Sequence, residues 1–151
     1  MRELARATGL MVRISDVQPA GDRSMSRLST RQFSESVGGK MCGDEPFFSQ
    51  PVAGYCSGFL AAPDTFVTAG HCLASVPCDA TAVVFGYSLD TPDKNLDQIS
   101  NDDIYHCREL VAQVLEPGVG NDFAVIKLDR PVQDRRPIVM RKTGTIGLGA
   151  P

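Results

Sequence analysis

The stretch YCSGFLAAPDTFVTAGHC, residues 55–72, carries two apolar runs separated by Pro63 and Asp64, and it closes on a histidine set between a glycine and a cysteine. The runs YCSGFLAA (55–62) and TFVTA (65–69) have strand length and are rich in aromatic and β-branched side chains, and Pro-Asp between them is a hairpin signal. The same pattern continues downstream in TAVVFGY (81–87), IYHCRELVAQVLE (104–116) and DFAVIKLD (122–129), broken each time by Pro, Gly, Asp and Asn. Short strands at this spacing, without helical periodicity between them, are the all-β signature and predict a sandwich or a small closed barrel. Residues 1–40 differ in character. They carry scattered Arg, Ser and Gly and read as a lead-in segment, with a short amphipathic helix expected in RELARATGLMV (2–12), where Leu4, Ala7 and Met11 recur at helical spacing.

Composition narrows the classes of function. With 151 residues, 42% hydrophobic and 22% charged, the chain is long enough for one core that buries about two-thirds of its extended surface. The net charge is −3, from 15 basic and 18 acidic residues mixed along the chain, so no footprint for nucleic acid or an anionic membrane is present. The longest apolar runs, such as AVVF at 82–85, fall far short of the roughly 20 residues that span a bilayer. The N-terminus has no sustained apolar core followed by a small-residue cleavage site, so a secretion signal is expected outside this chain.

The cysteines are Cys42, Cys56, Cys72, Cys78 and Cys107. Neither Cys-x2-Cys nor His-x3-His occurs, so zinc is not expected. Free thiols remain an alternative, but cysteines at this density beside strands fit disulfides in an oxidising compartment better. Their number is odd, which leaves at least one without an internal partner.

His71 and Asp122 are the candidate reactive pair. A lone histidine in a turn is ordinarily held by backbone and does no chemistry, whereas a general base needs a rigid seat of the kind that a turn closing a buried strand provides. A base also needs a partner on its other ring nitrogen, to fix the tautomer and stabilise the imidazolium. Asp122, in GVGNDFAVIKL, precedes a run apolar enough to be a buried strand, although Asp before a strand is also a common turn residue. His106 lies within an expected strand beside Arg108 and Glu109 and reads as a solvated sheet-face residue, the alternative being a cleft residue that touches substrate.

Taken together and in this order, CSGFL, VTAGHC and DFAVIKLDRPV resemble the trypsin-like (chymotrypsin-fold) serine proteases, in particular their bacterial trypsin-like and glutamyl-endopeptidase-like branch. The resemblance covers about residues 42–151. It implies an all-β fold whose first six-stranded antiparallel barrel is this chain, a peptide or protein substrate, no metal or organic cofactor, and a monomer when complete. It also implies that His71 is the general base and then acid, that Asp122 orients it, that Cys56 and Cys72 staple the histidine loop, and that Cys78 and Cys107 form a second bridge. Secretion or a periplasmic location follows from the same likeness.

One departure is large. Triads of this fold run His, Asp, Ser along the chain, yet the last serine here is Ser100, and no cysteine follows Cys107. The expected reading is therefore residues 41–151 as the N-terminal barrel of a serine endopeptidase domain, with the nucleophile and second barrel missing. The alternative is a non-catalytic, protease-like binding module.

Overall fold

The computed structural model describes residues 2–38, 40–89, 95–116, 118, 120–145, 147 and 149. Helix α1 (Arg2–Arg6) leads into strand β1 (Thr8–Arg13), followed by β2 (Val17–Pro19), β3 (Met25–Leu28), β4 (Arg31–Gln32), helix α2 (Phe33–Ser36) and β5 (Pro51–Val52). The hairpin β6 (Cys56–Ala62) and β7 (Thr65–Thr68) precedes helix α3 (Gly70–Ser75), and β8 (Thr81–Phe85), β9 (Gln98–Ser100), β10 (Ile104–Glu116) and β11 (Asn121–Leu128) follow. The protein is thus mostly strand. Six strands close into an antiparallel barrel in the order β1-β6-β7-β11-β10-β8, the architecture of one chymotrypsin-like barrel.

The lead-in expected over residues 1–40 is corrected by β1. Thr8–Arg13 pairs with β6 on one side and β8 on the other, so this segment closes the barrel. The expected helix accordingly stops at Arg6. Continuing it would place Gly9 and the β-branched Thr8 and Val12 in a helix interior, with glycine alone costing about 1 kcal/mol relative to alanine. As a strand, the same residues gain ladder bonds on both edges and bury Met11 and Val12 completely. An apolar spacing of three and four residues in so short a window cannot separate these outcomes, because the pairing partners lie tens of residues away.

The barrel interior explains the sequence of its strands. Met11, Leu60, Phe66, Val83, Phe85, Tyr105, Ala124, Ile126 and Leu128 form one buried cluster. Phe66, Phe85 and Tyr105 stack edge to face in series, with centroids 6.1 and 5.6 Å apart, a favoured aromatic geometry. Gly9 and Gly58 sit opposite each other in the β1–β6 register, and the Phe66 ring occupies the space that a Cβ on either would need. β8 is buried along its whole length. Val83 and Phe85 face the interior, while Ala82 and Val84 join Val12, Leu28, Ile99 and Ile104 in a second cluster. The three-stranded sheet β2-β3-β9 contributes Leu28 and Ile99 to that cluster. A strand covered on both faces reads as a continuous apolar run, which is why TAVVF shows no alternation.

Two outcomes follow. A chain beginning at residue 41 should lose cooperative thermal unfolding and bind a hydrophobic dye, because β6 and β8 would be left with open edges. Phe66→Ala should cost about 3–5 kcal/mol in urea denaturation, in the range for buried aromatic truncations.

Candidate active site

Register carries Asp122 to the histidine. β11 runs antiparallel to β7 with Ala124 opposite Thr68, and β7 ends there. Continued by two residues, this register brings Asp122 level with Gly70, the first residue of α3. Ala69, at φ −76° and ψ 145°, precedes the helix and offers no side-chain cap. The first N–H groups of a helix have no internal acceptor. Asp122 supplies one from across the sheet: its Oδ1 accepts from the His71 backbone N–H at 2.9 Å.

The other carboxylate oxygen holds the ring. Asp122 Oδ2 lies 2.6 Å from His71 Nδ1. An ionised carboxylate only accepts, so Nδ1 carries the hydrogen, and in the neutral imidazole Nε2, on the far side of the ring, keeps its lone pair. The His71 side chain is 59% exposed and that of Asp122 35%, so Nε2 is accessible to a reacting group. The ring bond from His71, and then its backbone N–H, hold the Asp122 carboxyl below the ordinary carboxylate range. The carboxylate is therefore ionised at neutral pH, the state in which it favours an imidazolium beside it.

The residues around His71 explain its neighbours in the sequence. A Cβ on Gly70 would run into the backbone carbonyl oxygen of Val114 on β10 and crowd the Phe123 carbonyl oxygen. Only glycine allows the turn to lie this close to the β10–β11 hairpin. Cys72 is bonded to Cys56 at the start of β6, with Cα atoms 6.1 Å apart and a sequence separation of 16. A bridge of that span contributes about 3 kcal/mol in the chain-entropy account. The second disulfide joins Cys78, in the 3-10 turn Cys78–Ala80, to Cys107 on β10. Cys42 is a free, exposed cysteine. Ser75 Oγ donates to the His71 carbonyl oxygen at 3.0 Å, closing the far side of the short helix.

Not every candidate joins the site. His106 is exposed on β10 opposite Ala82, and its carbonyl oxygen accepts from the Asp129 N–H. Cys56, His71 and Cys72 lie close enough to resemble a metal cluster, but both sulfurs are spent in the disulfide and offer no thiolate. Gln113 was not legible as a site residue: its Nε2 donates to the Gly70 carbonyl oxygen at 2.7 Å. Its only sequence signal is a single polar residue inside the apolar run LVAQVL at 110–115, which says nothing of its partner.

The family model for trypsin matches residues 37–146, well over half of the chain. No curated protein matches it.

The lowered Asp122 pKa fixes a pH dependence. A carboxyl that is more acidic folded than unfolded contributes stability that is fully present above its unfolded value of about 4 and is lost as pH falls through its folded value. The gap in urea midpoint between wild type and Asp122→Asn should shrink as pH falls below about 4, where the carboxylate is protonated. Gly70→Ala should destabilise the fold in urea denaturation by more than the roughly 0.5 kcal/mol that bounds ordinary surface substitutions, through the clash with the Val114 carbonyl oxygen.

Proposed function

The chain belongs to the trypsin family, and from that premise we propose that it supplies the base and orienting acid of a serine endopeptidase. The carrying observation is the pair itself: one carboxylate grips His71 at its backbone N–H and at Nδ1, leaving Nε2 for a nucleophile. In this reading a serine hydroxyl attacks the scissile peptide carbonyl while His71 Nε2 takes its proton. Asp122 stabilises the resulting imidazolium, which then protonates the leaving amine, and water hydrolyses the acyl-enzyme by the same route in reverse.

No serine follows Asp122 in the sequence, so the nucleophile and its oxyanion hole are assigned to a second barrel, facing the rim that carries His71. Residues 41–151, together with β1, are then the N-terminal barrel of the peptidase domain. A shallow groove lined by Ser57, Phe59, Thr68, Asp122 and Phe123 beside the pair supports this arrangement as one wall of a substrate cleft. CSGFL, TAGHC and DFAVIKLDRPV favour the bacterial trypsin-like and glutamyl-endopeptidase-like branch. The two disulfides favour an oxidising location, secreted or periplasmic. Among the described residues no helix is long and apolar enough to cross a membrane.

A fluorophosphonate probe tests the reading, applied to the 151-residue chain and to the same chain extended by the sequence that follows it in its gene. Labelling and peptide hydrolysis are expected in the extended protein only. His71→Ala in that protein should cut turnover by about 10⁶, as removal of a triad base does. Labelling of the short chain that disappears on mutating one of its own serines would contradict the proposal. An extended, folded second barrel that takes no label would favour the binding module.

A further inference from the structure

The peptide unit joining Gly70 to His71 is held at both ends. Its N–H donates to Asp122 Oδ1 at 2.9 Å, and its carbonyl oxygen accepts from Gln113 Nε2 at 2.7 Å. Both side chains come from one face of one hairpin. In the β10–β11 register Asp122 lies opposite Leu115 and Ala124 opposite Gln113, and residues two apart on a strand share a face. The turn they grip lies directly on the hairpin, where Gly70 leaves room for the Val114 carbonyl oxygen.

We propose that Gln113 is a positioning residue for the His71–Asp122 pair, acting through the Gly70–His71 peptide. This rests on the proposed function, because it assigns Gln113 a part in orienting the base. Two physical effects carry it. A donor on a peptide carbonyl polarises the unit and strengthens its N–H as a donor, so the Gln113 amide reinforces the bond from His71 N–H to Asp122. The carboxylate is also rigid and planar, so its two oxygens move together. Were the peptide to rotate, Oδ1 would follow the N–H and carry Oδ2 out of line with Nδ1, loosening the ring bond that fixes the tautomer. Gln113 acts on the pair through the Gly70 carbonyl oxygen. It sets the plane on which Asp122 can hold both donors at once.

The test reads the His71 Nδ1–H proton by low-field NMR on the full 151-residue chain at neutral pH. Wild type is compared with Gln113→Met, Gln113→Leu and Asp122→Asn, with a melting curve for each. Both Gln113 variants keep apolar bulk and remove the donor. They are expected to speed exchange of the Nδ1 proton about fivefold, the scale of one lost hydrogen bond, while Asp122→Asn abolishes the resonance. A role confined to stability would lower the melting temperature and leave the exchange rate unchanged, and that result overturns the proposal while the pair stands. Persistence of the resonance in Asp122→Asn overturns both this proposal and the proposed function. In the unsubstituted chain, a scalar coupling across the bond from Gln113 Nε2 to the Gly70 carbonyl carbon is expected, and its absence overturns the inference without any variant having to fold.

Discussion

One carboxylate with two donors from a single residue is the interaction around which the rim of this barrel is arranged. Asp122 satisfies an uncapped helix N-terminus and fixes an imidazole with the same group. The first bond is a folding interaction, since an orphan N–H in the first turn of α3 would otherwise depend on water. The second is the one that chemistry would use. Because both are made at once, the conformation that folding favours is also the one in which Nε2 faces outward with its lone pair.

The rest of the fold serves to bring these two residues level. β7 ends at Thr68, and the chain turns through Ala69 into α3, while β11 runs on past the end of its partner. Asp122 and His71 therefore meet because two paired strands differ in where they stop. The Cys56–Cys72 bridge anchors α3 to β6 from the other side, and the interior packing of Phe66, Phe85 and Tyr105 locks the register of the strands beneath. A slip of one residue in β11 would turn Asp122 to the opposite face. The buried alternation of Ala124, Ile126 and Leu128 opposes such a slip, so a core made of ordinary aliphatic residues fixes the geometry of a polar site.

Much of this was legible in the sequence, for reasons that can be stated. IYHCRELVAQVLE is a strand from Ile104 to Glu116, and the hairpin turning at Pro63 and Asp64 is present, because local turn chemistry and β-branched runs carry that information. The N-terminal strand was not legible. Leu4, Ala7 and Met11 mimic a helical stripe, and only closure against β6 and β8 decides otherwise. Gln113 was missed for a related reason: its partner is a backbone carbonyl more than forty positions away, and backbone partners leave no trace in residue type. Gly70, by contrast, stands next to His71 within VTAGHC, and the close approach of the Val114 carbonyl oxygen explains why it must be glycine.

The central claim is that Asp122 holds His71 as the Nδ1–H tautomer, with Nε2 free to accept a proton from a nucleophile. Neutron diffraction from deuterium-exchanged crystals at neutral pH measures this directly. The account predicts a deuteron on Nδ1 lying toward Asp122 Oδ2, and none on Nε2. A deuteron on Nε2 with Nδ1 bare, or a ring turned away from the carboxylate, would contradict it.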